Sequence, residues 1–325
     1  MNHTLKSIAP FVFLVIIFGV ESVYGQNSLS NKKHEFSLSG GIGFFSGTSY
    51  EIVYKYADEN EYLSELQWNI KPLFYMGIAL NYDLKEPAEE RGFLLGIGLK
   101  AGIPMQTGSI KDRDWLLFSE DLTHYSSHEN HTKAAVLLNV STGYSLPVWK
   151  MVLKFYLNFD FMYFKWEARN GYIQYGPNKS TPYIPWDASF PKEPSSGLGI
   201  TYTQHWVLFS AGIGADFPMG RFTFFSYVSI GPAICIAVDD HHKTLPPVTF
   251  IDTVYKGLYV KPKLGAYISC NSRFDIGMSV MYTYISETRG NTIQKNNGYT
   301  SGNISNTAGA AFKAFEGNLS VKYRL

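Results

Sequence analysis

Apolar and polar residues alternate at every second position over most of this chain. From Phe222 onward the even positions are apolar and the odd positions are small or polar, as in Phe224, Val228, Ile230 and Ile234 against Thr223, Ser229 and Ala233. The same alternation runs from Phe93 to Ile103. Successive side chains of a β-strand point to opposite faces, and strands that cross a membrane turn their apolar face toward lipid. The alternation therefore predicts the strands of a transmembrane β-barrel.

Ten segments carry this pattern, near residues 34–56, 61–84, 91–110, 132–148, 149–169, 198–217, 221–242, 253–270, 273–288 and 310–325. The connections between them alternate between short turns and longer polar stretches, the latter at 111–131, 170–197, 243–252 and 289–309. Short periplasmic turns and long extracellular loops are typical of outer-membrane barrels. Several segments exceed the ~9–11 residues that a bilayer requires. We therefore predict an all-β fold, a ten-stranded antiparallel transmembrane β-barrel extending beyond the outer membrane.

The N-terminus has the features of an export signal. Lys6 precedes the apolar stretch Ile8–Val20, and small residues lie before Gln26. A membrane anchor is the alternative, but this stretch is shorter than the ~20 apolar residues of a spanning helix. We therefore predict a cleaved signal peptide at 1–25 and one outer-membrane β-barrel domain at 26–325.

Composition and charge narrow the possible functions. The chain contains 23 Tyr, 23 Phe and 29 Gly with 17% charged residues, a mixture that suits short amphipathic strands with aromatic ends. The net charge of +1 argues against a nucleic-acid partner, because no basic stripe is available for phosphates. The predicted barrel places Cys235 and Cys270 near opposite ends of neighbouring strands, so we expect two unpaired thiols.

Two groups of ionisable residues are candidates for chemistry. Asp112 and Asp114 face the same side of an extended segment, where paired carboxylates can share a proton and bind a water. Asp239 and His241 form a second pair, in which the carboxylate can orient the imidazole as a general base. The alternatives are a solvated acid pair, a polar strand end or an adventitious metal site at His241 and His242. An enzyme requires that the two pairs face each other.

Several motifs resemble the omptins, a family of ten-stranded outer-membrane proteases of Gram-negative bacteria. They occur in the family's order along almost the entire predicted mature chain and comprise Ser46–Tyr54, Ser64–Trp68, Asp112–Trp115, Thr123–His128, Ala168–Gly171 and Asp239–His241. The resemblance implies a surface endopeptidase of aspartic type without a metal or other cofactor, which acts on peptides or proteins. It implies catalytic roles for Asp112, Asp114, Asp239 and His241, and places Glu51 in the specificity pocket. Ser126 and His128 become structural parts of the cleft.

The departures from the family concern specificity and lipid. Ala237 replaces one of the two pocket acids that the resemblance implies, so we expect a loosened preference for basic residues before the cut. His124 stands where the family has an acid. Tyr163 and His205 occupy two positions where relatives bind lipopolysaccharide through basic residues, so that this lipid's usual ligands are not matched.

Two alternatives remain open from the sequence. A gapless extension of the preceding strand assigns the dyad to Asp240 and His242, and a β-bulge would reverse the parity that favours Asp239 and His241. A non-enzymatic barrel that acts as an adhesin or receptor through its extracellular loops is the competing function. Whether the protein is a protease or an adhesin, we expect a monomer in the outer membrane of a Gram-negative bacterium, surrounded by lipid. Its loops and any active site should face the exterior.

Overall fold

The computed structural model describes residues 33–57, 61–85, 91–116, 119–179 and 183–325. Within these ranges the chain forms twelve strands, namely β1 (Lys33–Tyr54), β2 (Tyr62–Lys85), β3 (Gly92–Gly102), β4 (Met105–Asp114), β5 (His124–Val148), β6 (Met151–Gln174), β7 (Glu193–Pro194), β8 (Leu198–Met219), β9 (Phe222–His241), β10 (Val248–Ser269), β11 (Phe274–Asn296) and β12 (Tyr299–Arg324). The signal peptide predicted at 1–25 lies outside the described residues. No helix in the described part of the chain is long and apolar enough to cross a membrane.

The strands close into an antiparallel ring with ten positions. β3 and β4 share one position, because both lie between β2 and β5. They are separate strands since Pro104, which has no N–H to donate, interrupts the ladder between them. β12 pairs with β1 and closes the ring, while the two-residue β7 adds only a short edge to β6. The prediction of a ten-stranded antiparallel barrel is confirmed.

The two faces of the strands differ as their alternation predicts. On β9 the apolar side chains Phe224, Val228, Ile230 and Ile234 are exposed on the outer surface, whereas Ser229 and Ala233 are buried in the lumen. Large exposed apolar side chains continue along β1 and β9 as far as Phe44 and Ile236, and past the end of β3 to Ile103. This outer surface is the apolar belt that lipid covers in a transmembrane barrel.

Stacked aromatic rings fill the lumen at the upper end of the belt. Trp68 of β2 stacks on Tyr202 of β8 with ring centroids 5.2 Å apart, and on Trp166 of β6 at 6.0 Å. Phe164 extends the stack toward Phe312 of β12. Such rings bury a large apolar area and pack the lumen at this level of the barrel.

The strands extend further beyond the belt than predicted. The predicted loop 111–131 is largely strand, because β4 continues to Asp114 and β5 begins at His124. The predicted loop 289–309 is a hairpin that turns at Asn297 and Gly298, both with positive φ. Hydropathy marks only strands with one apolar face, whereas backbone pairing continues between strands that are polar on both faces. The candidate acids therefore lie on paired strands.

The two cysteines are free thiols, as predicted. Cys235 is buried in the lumen on β9, and Cys270 is exposed beside the turn that follows β10.

Candidate functional site

Asp112 and Asp114 lie at the C-terminal end of β4, beyond the apolar belt. Asp112 pairs in register with Leu66 of β2 and Ser126 of β5, and Asp114 pairs with Ser64 and His124. The Ser126 hydroxyl donates to Asp112 Oδ2 at 3.3 Å. Asp112 Oδ1 is buried and has no hydrogen-bond partner among the described residues. The carboxylate thus has an oxygen available for a ligand or a water.

Asp239 and His241 form a hydrogen-bonded pair at the end of β9. Asp239 is 2% exposed, and its Oδ2 lies 2.6 Å from His241 Nε2. A carboxylate can only accept here, so Nε2 carries the proton and donates it. The other ring nitrogen, Nδ1, is then the basic one in the neutral imidazole. The edge of the ring contacts Phe250 of β10.

Asp240 and His242, the alternative pair, bind neighbouring strands instead of each other. Asp240 Oδ1 accepts from the Thr249 hydroxyl at 2.6 Å, and His242 Nε2 lies 2.8 Å from the Thr201 hydroxyl. The pairing of β9 with β8 and β10 is continuous from Ala237 to His241 without a bulge. The alternation therefore carries Asp239 inward together with Ala237, whereas Asp240 points to the other face.

The two pairs act on each other electrostatically, as groups that share one cleft do. Burial raises the pKa of Asp112 well above its usual range; Asp114 adds to this, and His241 opposes it. Burial also raises the pKa of Asp114, against the hydrogen bond from Ser64 and the charges of His124 and His241. Burial lowers the pKa of His241, but Asp239, Asp112 and Asp114 outweigh this effect and raise it overall. The cleft thus favours a protonated imidazole between carboxylates.

Glu51 lies beside this cleft on the inner face of β1. It is 2% exposed, and its Oε2 has no hydrogen-bond partner among the described residues. Burial raises its pKa well above the usual range, and Asp239, Asp252 and Asp112 raise it further. The structure therefore places Glu51 near both the Asp239 carboxylate and a further acid, Asp252.

Asp252 is a buried acid that the sequence-based interpretation missed. It lies on β10 directly opposite Ala237 of β9, whereas the sequence placed residue 252 in a loop. Leu258 and Leu264 are exposed on the outer surface. Because side chains alternate between the two faces of a strand, every even-numbered residue of β10, including residue 252, would then face lipid. A β-bulge between Val254 and Gly257 reverses that parity and turns Asp252 into the lumen. The positive φ of Lys256 marks the bulge, but a lysine gives no sequence signal for it.

Residues at the start of β5 form a network of contacts that supports the two acids of β4. Ser126, which donates to Asp112, lies 3.0 Å from His128 Nε2. His124 Nε2 donates to the Asn178 carbonyl, and its ring is packed against Tyr175 and Tyr183. These contacts brace the ends of β4 and β5, where Asp112 and Asp114 lie. Across the described residues, no three His, Cys, Asp or Glu side chains are arranged to bind a metal ion.

Comparisons with known proteins identify the family and the fold of the chain. The model of the Omptin family matches residues 32–325. The crystal structure of the outer membrane protease OmpT from Escherichia coli superposes with a TM-score of 0.80 at 17% identity, covering 92% of this chain and 100% of that one. The translocator domain of the autotransporter NalP from Neisseria meningitidis gives a TM-score of 0.37 at 7% identity, covering 98% and 97% of the two chains. None of the curated proteins matches the chain.

Proposed function

This chain belongs to the omptin family, and from that premise we propose that it is an outer-membrane endopeptidase whose Asp112, Asp114, Asp239 and His241 activate a water. The observation that carries the proposal is the 2.6 Å contact between Asp239 and His241, on the same inner face that the charges of Asp112 and Asp114 reach. An adhesin needs no such buried, mutually perturbed acids and base, whereas perturbed ionisable groups are characteristic of catalytic clefts.

The geometry supports the following reaction. A water in the cleft attacks the scissile carbonyl carbon while Nδ1 of His241 takes its proton, and the Asp112 and Asp114 carboxylates position the water. Asp239 fixes the imidazole and stabilises the imidazolium that forms. The tetrahedral intermediate collapses when the imidazolium returns the proton to the leaving amine. The step requires neither a metal nor a covalent intermediate.

The site lies on the side of the apolar belt where the longer connections are. Each acid comes after the last exposed apolar side chain of its own strand or strand pair. Glu51 follows Phe44 on β1, Asp112 follows Ile103 on the β3–β4 segment, and Asp239 follows Ile236 on β9. In an outer-membrane barrel the long connections face the exterior, so the cleft opens toward peptides or proteins outside the cell. One chain supplies all the proposed catalytic groups, which is consistent with a monomer. Tyr163 and His205, whose rings are 5.0 Å apart, leave the wall without the basic lipopolysaccharide ligands expected from relatives.

Specificity follows from the buried Glu51 carboxylate. An unpartnered acid beside the dyad favours an Arg or Lys side chain before the cut, since charge-assisted hydrogen bonds are stronger than neutral ones. Ala237 removes the acid expected on β9, so the preference is looser than in relatives with two acids at the same positions. A lysine, with its compact charge, is then accepted more nearly as well as arginine.

The pH dependence of cleavage should show the raised pKa of His241. With a peptide whose side chains are all neutral, kcat/KM should rise with pH through a midpoint above about 6.5, since only the deprotonated imidazole accepts the water's proton. Asp239 is the largest of the groups that raise this pKa, so Asp239→Asn should move the midpoint to lower pH and reduce the plateau. Initial rates across a pH series give both values. If Asp239→Asn left the midpoint unchanged, His241 would not be the general base.

A further inference from the structure

Asp252 and Ala237 are opposite residues on neighbouring antiparallel strands, and both face the lumen. They are 5% and 2% exposed. Side chains directly opposite each other in such a pair have their Cβ atoms about 5 Å apart. From this juxtaposition we infer that Asp252 supplies, from β10, the second acid of the specificity pocket, and that with Glu51 it binds the guanidinium or ammonium group of the substrate. The inference rests on the proposed function, and it confines the loosened preference to conditions in which Asp252 is neutral.

The depth of Asp252 suits a long side chain. Ala237 and Asp252 lie two residues further into the barrel than Asp239, which at about 3.3 Å per residue is about 7 Å. A side chain that enters beside the dyad must therefore extend several bonds before it reaches this acid. Arginine and lysine have that length with their charge at the end.

Glu51 provides the independent sign of a ligand. Its Oε2 is buried without a hydrogen-bond partner among the described residues, and Asp252 is one of the charges that act on it. A buried carboxylate oxygen without a partner is costly, and a cation between Glu51 and Asp252 reduces the repulsion between the two acids. Asp252 and Glu51 are therefore two neighbouring buried acids that suit a cation.

The remaining surroundings are polar and rigid. Gln204 of β8, opposite Ala237, accepts from Ser49 of β1 at 2.6 Å and donates to the Tyr202 hydroxyl at 2.9 Å. Tyr202 is stacked on Trp68, so its ring is fixed. The surroundings of the two acids thus consist of polar groups that hydrogen-bond to each other and of stacked aromatic rings.

The acid on β10 makes the preference for basic residues depend on pH. Burial raises the pKa of Asp252 to about 7; Asp239 adds to this, and the hydrogen bond from Thr292 of β11 opposes it. Glu51 from β1, Tyr202 from β8 and Cys235 from β9 are further titratable groups in this environment. Below its pKa Asp252 is neutral and attracts a cation weakly, whereas above it the carboxylate is charged. Preference for Arg over a neutral residue should therefore increase as the pH rises through about 7.

The test compares peptides that carry arginine or citrulline, its neutral isostere, before the cut. The ratio of their kcat/KM values cancels the titration of His241, which both substrates share. In the native protein this ratio should be larger one pH unit above the Asp252 pKa than one unit below it. Asp252→Asn should lower the upper ratio by about tenfold or more and weaken its pH dependence. Glu51→Gln should also lower the ratio.

The matched control is Asp240→Asn, which removes an acid that bonds to Thr249 on the opposite face of the same strand pair. It should leave the ratio unchanged. The double variant Ala237→Asp/Asp252→Asn moves the acid across the strand pair and should restore the preference, which also shows that the site still folds. An Asp252→Asn protein with the native ratio and pH dependence would overturn the inference while leaving the protease in place.

A binding measurement separates this inference from the proposed chemistry. In His241→Ala, fluorescence anisotropy compares the affinities of labelled arginine and citrulline peptides. Tighter arginine binding that Asp252→Asn removes supports the pocket, even if the native protein cleaves neither peptide and the proposed function fails. Equal affinities, or an arginine preference that Asp252→Asn does not change, overturn the inference.

Discussion

His241→Ala should lower kcat/KM for peptide cleavage by a factor of about 10²–10⁴, the usual contribution of a general base. The structure gives the physical reason. Asp239 fixes the imidazole through a 2.6 Å hydrogen bond, and alanine leaves no group there that can accept the water's proton. Initial rates with a quenched fluorescent peptide measure the loss. Far-UV circular dichroism in detergent confirms that the variant remains a folded barrel.

His242→Ala is the matched control for this prediction. It removes an adjacent imidazole that bonds to Thr201 on β8 and has no hydrogen bond to Asp239 or Asp112. Its kcat/KM should remain within about threefold of the native value, because surface substitutions away from special contacts have small effects. The opposite result, with His242→Ala inactive and His241→Ala active, would assign the dyad to Asp240 and His242.

Asp112→Asn should lower kcat/KM by about 10²-fold or more. The amide has the size of the carboxylate, so the fold is conserved, but it carries no charge to position the water or stabilise the imidazolium. Asp112 also raises the pKa of His241, so the rising limb of the pH profile should move to lower pH. The combined loss of rate and shift of the limb distinguishes this role from a purely structural one. Both are measured in one series of kcat/KM values against pH.

The control for Asp112 is Asp121→Asn, at an exposed acid in the connection between β4 and β5. Its backbone N–H donates to the Ser119 hydroxyl at 3.2 Å and its backbone carbonyl accepts from that hydroxyl at 2.9 Å, so neither contact needs the carboxylate. Activity close to native is expected. If Asp112→Asn kept native activity and an unshifted pH limb, the water would have to be positioned by Asp114 alone.

The alternation of side chains was sufficient to predict the faces of the strands and the inward position of Asp239. On β9 the ladder is regular, so parity extends without error from Ser229 and Ala233 to Asp239. The same reasoning fails on β10, where the bulge at Val254–Gly257 reverses the parity and hides Asp252. A bulge formed by a non-glycine residue such as Lys256 depends on pairing with both neighbours, which one strand's sequence does not encode.

The sequence also did not predict how far the strands continue beyond the apolar belt, and the reason differs from that for the bulge on β10. The sequence placed Asp112 in a loop because the residues around it are polar on both faces of the strand. Without apolar residues at every second position, the hydropathy pattern does not reveal a strand. The convergence of Glu51 with Asp239 and Asp252 is a property of ring closure, which brings β1 to the same cleft as β9 and β10. Only the motif resemblance indicated a role for Glu51 before the structure did.

The most direct test of an Asp/His endopeptidase is cleavage of a peptide library by the purified, refolded protein, with the products read by mass spectrometry. The native protein should hydrolyse internal peptide bonds, predominantly after basic residues, and both Asp112→Ala and His241→Ala should lose this cleavage while remaining folded. Absence of cleavage by a folded native protein, or cleavage that both variants retain, would contradict the account.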